Sequence, residues 1–277
     1  MVILITVCIV NYNSSDFIIN TLYCLEKLTK CKYKVIIRDN NSKIKDFLNL
    51  KKKIRKISNV QLYRVENFDY KGSLSHGIAL NDLIGRIDTK YGVFLDADCT
   101  FLHKNWDEIL INELDNDHPI IGTQASKYPN HKKFADFPFM YAILFDVNIF
   151  KRLGINFKPI DIKKGKDTGY QMRERYLSNG FKGKILIFKN TREYKSGPFH
   201  RYICGEYYLE GYEEIFACHF GRGSTLGKNK YLNTSKKKYY KLPLIGSHLL
   251  KLKGKREKNG WIKICRIIVN KKPKSSL

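Results

Sequence analysis

The sequence predicts an α/β protein, a three-layer α/β/α arrangement around a mostly parallel central mixed sheet, followed by a basic helical tail. Three observations predict it. Across the first hundred residues, β-branched apolar runs alternate with amphipathic helical stretches, the βαβαβαβ order of a doubly wound parallel sheet. One of those runs, Tyr91-Gly92-Val93-Phe94-Leu95, is almost wholly apolar, as a strand covered on both faces must be, and it stops abruptly at Asp96-Ala97-Asp98. From Arg222 to Leu277, seventeen basic side chains stand against one acid, Glu257, so that +16 of the formal +25 charge lies in the last 56 residues.

Val2 to Val10 reads as the first strand, and Ser14-Ser15-Asp16 offers a helix N-cap before Ile18, Leu22, Leu25 and Leu28 at helical spacing. Tyr33 to Ile37 is a second strand, closed by the turn-forming cluster Arg38-Asp39-Asn40-Asn41-Ser42. A basic helix over about 43–57 leads to a third strand at Val60 to Val65, and a helix over 73–87 precedes the strand that ends at Asp96. Beyond Asn105 a further helix is expected. Apolar segments at 119–122 and 139–145 follow, less regular than the first half, so the second half is read as mixed sheet. Helical character at 167–179 with Gly180 as its C-cap, and a strand at 184–188, complete the body.

Bulk properties exclude several classes. At 277 residues, 43% hydrophobic and 13% aromatic, the chain is long and apolar enough for a large core, and its glycine and proline are too few for a fibrous or linker-rich protein. Seven cysteines (Cys8, Cys24, Cys31, Cys99, Cys204, Cys218, Cys265) form no C-x-x-C pair and are odd in number, which fits reduced thiols of a cytoplasmic protein. The apolar first ten residues lack a basic leader and a cleavage site and read as a strand rather than a signal peptide. No apolar stretch reaches the roughly 18–20 residues of a membrane-crossing helix, so a soluble or peripheral protein is expected.

The chemistry concentrates at Asp96 and Asp98. In open α/β sheets ligands bind beyond the carboxyl ends of the strands, where this motif falls. Two adjacent carboxylates repel unless a cation or proton relieves them, and a divalent ion is the usual solution. The motif therefore points to Mn²⁺ or Mg²⁺ and a phosphate-bearing substrate. The turn after the first strand has no G-x-G-x-x-G, which argues against dinucleotide and methyl-donor enzymes. A zinc site at Cys204, Cys218 and His219 lacks paired-ligand spacing.

Several motifs occur in an order that resembles the GT-A glycosyltransferases, most closely the family 2 inverting enzymes. The resemblance runs over about residues 2–227. It rests on Val10-Asn11-Tyr12-Asn13-Ser14, on Ile36-Ile37-Arg38-Asp39-Asn40-Asn41-Ser42, on Glu66-Asn67 with Gly72-Ser73-Leu74-Ser75-His76-Gly77-Ile78-Ala79, and on Phe94-Leu95-Asp96-Ala97-Asp98. It implies a nucleotide-sugar donor whose base and ribose are bordered by Asn11, Tyr12, Asn13 and Asp39, with Gly72, His76, Asp96 and Arg222 further along the donor site. An acceptor-only carboxylate at Asp39 suits the imide of uracil or thymine, hence a UDP or dTDP donor; its competing role is an Asx turn.

Asp96, Asp98 and His219 are the metal ligands the resemblance implies, His219 from the segment Ala217-Cys218-His219-Phe220-Gly221-Arg222-Gly223-Ser224. Asp167 is its general base, in Lys166-Asp167-Thr168-Gly169-Tyr170-Gln171-Met172-Arg173. There Lys166 and Gly169 replace acids common in the family, so Asp161 is kept as a second candidate and a helix cap as the competing role for Asp167. By this reading residues 1–125 form the nucleotide-sugar-binding half, 126–235 the acceptor-binding and catalytic half of the same domain, and 236–277 the tail. The implied acceptor is a glycan or lipid-linked molecule of surface polysaccharide synthesis.

In the tail, Trp261, Ile264, Cys265 and Ile268 share one helical face among lysines. Two roles fit: an interfacial anchor on an anionic membrane, at the cytoplasmic face, or a helix packed back on the domain. Specific nucleic-acid binding is not expected, because the basic residues follow no aromatic platform. A nucleic-acid binder and an inactive glycan-binding GT-A domain remain the alternative functions.

Overall fold

The computed structural model describes residues 4–66, 70–125, 134–226, 230–231 and 245–271. The first half follows the predicted alternation: β1 (Leu4–Asn11), α1 (Ser15–Leu28), β2 (Lys32–Asp39), α2 (Ile44–Ile54), β3 (Val60–Arg64), α3 (Gly72–Gly85) and β4 (Tyr91–Asp96). Next come β5 (Cys99–Phe101), α4 (Trp106–Asn112), β6 (Ile120–Gln124), β7 (Pro138–Asp146), α5 (Val147–Arg152) and α6 (Gln171–Ser178). The strands β8 (Lys184–Asn190), β9 (Gly205–Tyr208) and β10 (Ala217–His219) and the long helix α7 (Ile245–Asn270) follow.

Among the described residues, ten strands line up in the order β3-β2-β1-β4-β7-β6-β8-β9-β10-β5. β3, β2, β1 and β4 are mutually parallel, and chain order reverses at β1, so a crevice opens beyond the carboxyl ends of β1 and β4. From β7 onward the pairing is mixed: β7 runs antiparallel to β4 and β6, and β8 parallel to β6. One apolar cluster, built on Ile5, Val7, Ile9, Val93 and Leu95 with α1, α2 and α7, fills one side of the sheet. A second, with Cys8, Phe94, Phe145, Phe150, Phe157 and α3, fills the other. Residues of β1 and β4 enter the two clusters alternately, as the period-2 pleat requires.

One local expectation is corrected. Ser14 is the residue before α1, but its hydroxyl donates to the Tyr12 carbonyl rather than capping the helix. The helix start is held instead by Asp46 of α2, which accepts from Ser15 N at 3.2 Å and from Ser15 Oγ at 2.7 Å. The tail expectation also resolves. Trp261 and Cys265 are fully buried, with Trp261 edge-on to Phe17 of α1 and its Nε1 donating to Cys218 Sγ at 3.0 Å. This is the packed-back helix, and Trp261 is not available as a membrane anchor. Gly180, at φ +81°, takes the left-handed turn that ends α6. All seven cysteines are free thiols, and among the described residues no helix is long and apolar enough to cross a membrane.

Candidate active site

Strand register assembles the first part of the site. Asn11 lies opposite Asp39 across β1 and β2, and Val10 lies opposite Asp96 across β1 and β4, so Asn11, Asp39 and Asp96 end three adjacent parallel strands. After Asp96 the chain turns at Ala97-Asp98 and enters β5, which pairs with β10 in a register that sets His219 opposite Cys99. That turn carries the chain from the sheet centre to its far edge. It is why an imidazole more than a hundred residues away meets the two acids.

His219 Nε2 lies 3.8 Å from Asp96 Oδ2 and 3.4 Å from Asp98 Oδ1, and one ligand atom from each of the three residues falls within 4.8 Å of the others. Two carboxylate oxygens and one imidazole nitrogen, facing one another from two strand ends, suit Mn²⁺ or Mg²⁺ and leave positions for substrate oxygens. Asp98 is buried, and burial works to raise its carboxyl. The facing His219, by charge and hydrogen bond, the Gly223 N–H and Lys230 outweigh this and hold it below the ordinary carboxylate value. Gly223 N donates to Asp98 Oδ2 at 2.8 Å. The zinc alternative fails on geometry: adjacent residues of a strand point to opposite faces, and Cys218 Sγ turns toward Cys204 Sγ, 3.7 Å away, not toward the acids.

His76 approaches the same acid from the other side, its Nε2 3.4 Å from Asp96 Oδ1. It projects from the second turn of α3, a helix that begins at Gly72 in a left-handed conformation of φ +58°. Arg222 is also left-handed, at φ +59°, with its side chain exposed on the loop that carries Gly223.

Asp39 is completely buried and already engaged. It accepts from Asn11 Nδ2 at 2.8 Å, from Ser42 N at 3.1 Å and from Arg64 Nη1 at 3.0 Å. The Ser42 contact is the Asx-turn arrangement the sequence admits, so Asp39 organises its own loop whatever else it touches. Asn13 is left-handed at φ +53° and its amide N donates to Ser42 Oγ, while Tyr12 stands 54% exposed at the rim.

Asp167 does not cap α6. Its Oδ1 accepts from the adjacent Thr168 N at 2.7 Å, and Thr168 Oγ1 donates to the Ser73 carbonyl at 2.9 Å in the first turn of α3. Asp167 is thereby tied through α3 to the helix turn that brings His76 to Asp96. It lines a small pocket with Phe134, Phe139, Tyr170 and Arg173. Asp161, by contrast, bridges Lys166 across a short hairpin, accepts from Lys164 N and pairs with Lys164 Nζ at 3.7 Å, a turn-forming role. Asn67 lies outside the described residues.

Three contributors escaped the sequence. Tyr141 of β7 packs at a tilt of 31° against the His219 ring with centroids 4.3 Å apart, and Arg64 and Asp46 complete the polar network around Asp39 and Asn11. Tyr141 lies in an apolar run that signals only a strand. The Arg64 and Asp46 partnerships are long-range pairings that a motif does not encode.

The sequence model of glycosyl transferase family 2 matches residues 6–192. No curated protein matches the chain significantly. Among solved structures, Staphylococcus aureus TarS residues 1–349 in complex with UDP-GlcNAc is similar at 14% identity and a TM-score of 0.49, over 66% of this chain and 55% of that one. The mannosyltransferase PcManGT from Pyrobaculum calidifontis, in complex with GDP-Man and Mn²⁺, is similar at 14% identity and a TM-score of 0.52, over 95% of this chain and 73% of that one. The aligned region thus spans little more than half of the TarS piece, and the mannosyltransferase shares the fold.

Proposed function

The chain belongs to glycosyl transferase family 2, and from that premise we propose that it moves a sugar, with inversion, from a nucleoside-diphosphate sugar to a hydroxyl of a glycan or lipid-linked acceptor in surface polysaccharide synthesis. UDP or dTDP is the favoured carrier. The observation that carries the proposal is the meeting of Asp96, Asp98 and His219 at the carboxyl end of β4, the edge of an open α/β sheet beyond which ligands bind. When bound, Mn²⁺ or Mg²⁺ supplies charge neutralisation for the leaving diphosphate.

The remaining steps belong to side chains. Asp96, Asp98 and His219 would hold the ion. The exposed Arg222 guanidinium, next to the Gly223 that holds Asp98, offers charge-assisted hydrogen bonds to phosphate oxygens. Asn11, Tyr12 and Asn13 border the nucleoside. A carboxylate has about four acceptor positions and Asp39 uses three, so one is left for an imide N–H once the Asn41-Ser42 turn gives access. Asp167 takes the proton from the acceptor hydroxyl; that oxygen attacks the anomeric carbon as the bond to diphosphate breaks, a single displacement that inverts the centre. Residues 1–125 would then serve the donor and 126–235 the acceptor.

A thermal-shift panel of UDP-, dTDP-, GDP- and CMP-sugars, with and without Mn²⁺, tests this. Ligand binding to the native state raises its stability, so one nucleotide should shift the midpoint only in the presence of the ion. Absence of a shift with every nucleotide would reject the donor assignment.

A further inference from the structure

The outward face of α7 remains without a role once its inward face is accounted for. Trp261, Cys265, Leu250 and Gly254 point inward and are buried. Tyr23 Oη donates to Asn270 Oδ1 at 2.7 Å, Lys258 pairs with Asp16, and Tyr231 Oη donates to Glu257 Oε2, so the middle and the C-terminal end of the helix are pinned to the body. The opposite face is exposed along the whole helix, about 39 Å at 1.5 Å per residue. It presents Lys251, Lys255, Arg256, Lys263 and Arg266, with Lys271 just beyond, and no acid among them. Between these cations stand exposed aliphatic side chains, Ile245 at 60%, Leu252 at 50% and Ile267 at 49%.

We infer that this face docks on an anionic lipid bilayer, the helix lying in the surface plane with Ile245, Leu252 and Ile267 entering the headgroup region and the cations meeting lipid phosphates. Alternating cations and aliphatics on one face is the pattern of an interfacial helix, and each cation contributes roughly 1 kcal/mol near an anionic leaflet. A second copy of the chain is disfavoured, because two such faces bring like charges together. A nucleic acid would use the cations but leave the aliphatics unexplained, and no Phe, Tyr or Trp side chain stands exposed on this face for bases to stack on.

The docking face also has a fixed relation to the candidate site. At Gly254 an added Cβ would come 2.1 Å from the Leu226 carbonyl oxygen, so α7 rests directly on the loop whose Gly223 holds Asp98. A docked helix brings that loop to within about one helix diameter of the lipid headgroups. This consequence rests on the transferase proposal and narrows its acceptor to one carried by a lipid; the docking itself does not rest on it.

Vesicle co-sedimentation of the full chain tests the inference, with phosphatidylcholine vesicles against vesicles containing about one third phosphatidylglycerol. The wild type should pellet with the anionic vesicles only and be released at about 0.5 M NaCl. The variant Lys255→Glu/Arg256→Glu/Lys263→Glu/Arg266→Glu should lose at least about a thousandfold in affinity, and Leu252→Ser/Ile267→Ser about tenfold, both with wild-type circular dichroism. Equal binding to neutral vesicles, undiminished binding by the charge-reversed variant, or concentration-dependent dimerisation or RNA binding without vesicle binding would each overturn it. Donor hydrolysis measured in parallel without vesicles separates the two proposals, since the charge-reversed variant should keep the wild-type rate.

Discussion

Gly223 lies directly against Asp98: its N–H donates to Oδ2 at 2.8 Å, and a Cβ placed on it would come 2.7 Å from the Asp98 Cβ. The loop after β10 and the turn after β4 are therefore fitted to each other at a position that admits no side chain. The buried acid is aimed by a backbone group.

Gly223→Ala should displace the loop or rotate the carboxylate, because the contact is with atoms that have no freedom to move aside. Mn²⁺ affinity, measured by titration calorimetry, should fall at least about tenfold while the thermal midpoint changes little, since a ligand's hydrogen-bonded support is worth about 10–100-fold in metal affinity. An unchanged affinity would show that the Gly223 contact does not orient Asp98.

Asp39 is a structural acid before it is a binding one. Asp39→Ala takes the buried carboxylate from Arg64, which keeps Glu66 at 3.3 Å, and removes the acceptor for Asn11 and Ser42, a loss of about 2–4 kcal/mol in urea unfolding without any nucleotide present. Asp39→Asn, which preserves shape, should lose less. Wild-type stability in Asp39→Ala would mean that the network around it is slack.

For Asp167 and Asp161 the expected outcomes diverge. Asp167→Asn should cut the transfer rate about a hundredfold to ten-thousandfold at nearly unchanged stability, the signature of a lost general base. Asp161→Asn should leave turnover within about twofold and lower stability by about 0.5–1 kcal/mol, the worth of one turn hydrogen bond. The reverse pattern would transfer the role to Asp161.

Burial dominates the thiols. It pushes Cys24 up to about 12 from an ordinary 9.0, and raises Cys8, Cys99, Cys218 and Cys265 in the same direction. A group raised in the folded state contributes stability that is complete below its unfolded value and fades as pH climbs toward the folded one. Each buried thiol therefore subtracts about 1.4 kcal/mol per pH unit above 9. Lys230, pushed down to about 8 mainly by burial, acts oppositely between about 8 and 10.5, but it is one group against five. The urea midpoint should fall steeply from pH 9 to 11; a flat profile would contradict the burial of these thiols.

Legibility in the sequence follows contact range. The strands from β1 to β4 and their helices were readable because each has its own period and its own punctuation, and the acid pair announced itself as the polar end of an apolar strand. The strands β5, β9 and β10 were not. Three or four residues long, they are too short for periodicity and owe their form to one another, as the His219–Cys99 register shows. The tail's two faces were both visible, but only packing decides which one the body covers. It covers the Trp261 face because Phe17 and Phe220 form a pocket for an indole there.

The central claim is that Asp96, Asp98 and His219 together recruit a divalent ion for a diphosphate leaving group. Electron paramagnetic resonance of Mn²⁺ titrated into metal-stripped protein, with and without UDP, tests it most directly. Wild type should bind one Mn²⁺, more tightly with UDP present, and Asp96→Ala/Asp98→Ala should bind none while remaining folded. Full binding by the double variant, or UDP binding indifferent to Mn²⁺ in the wild type, would contradict it.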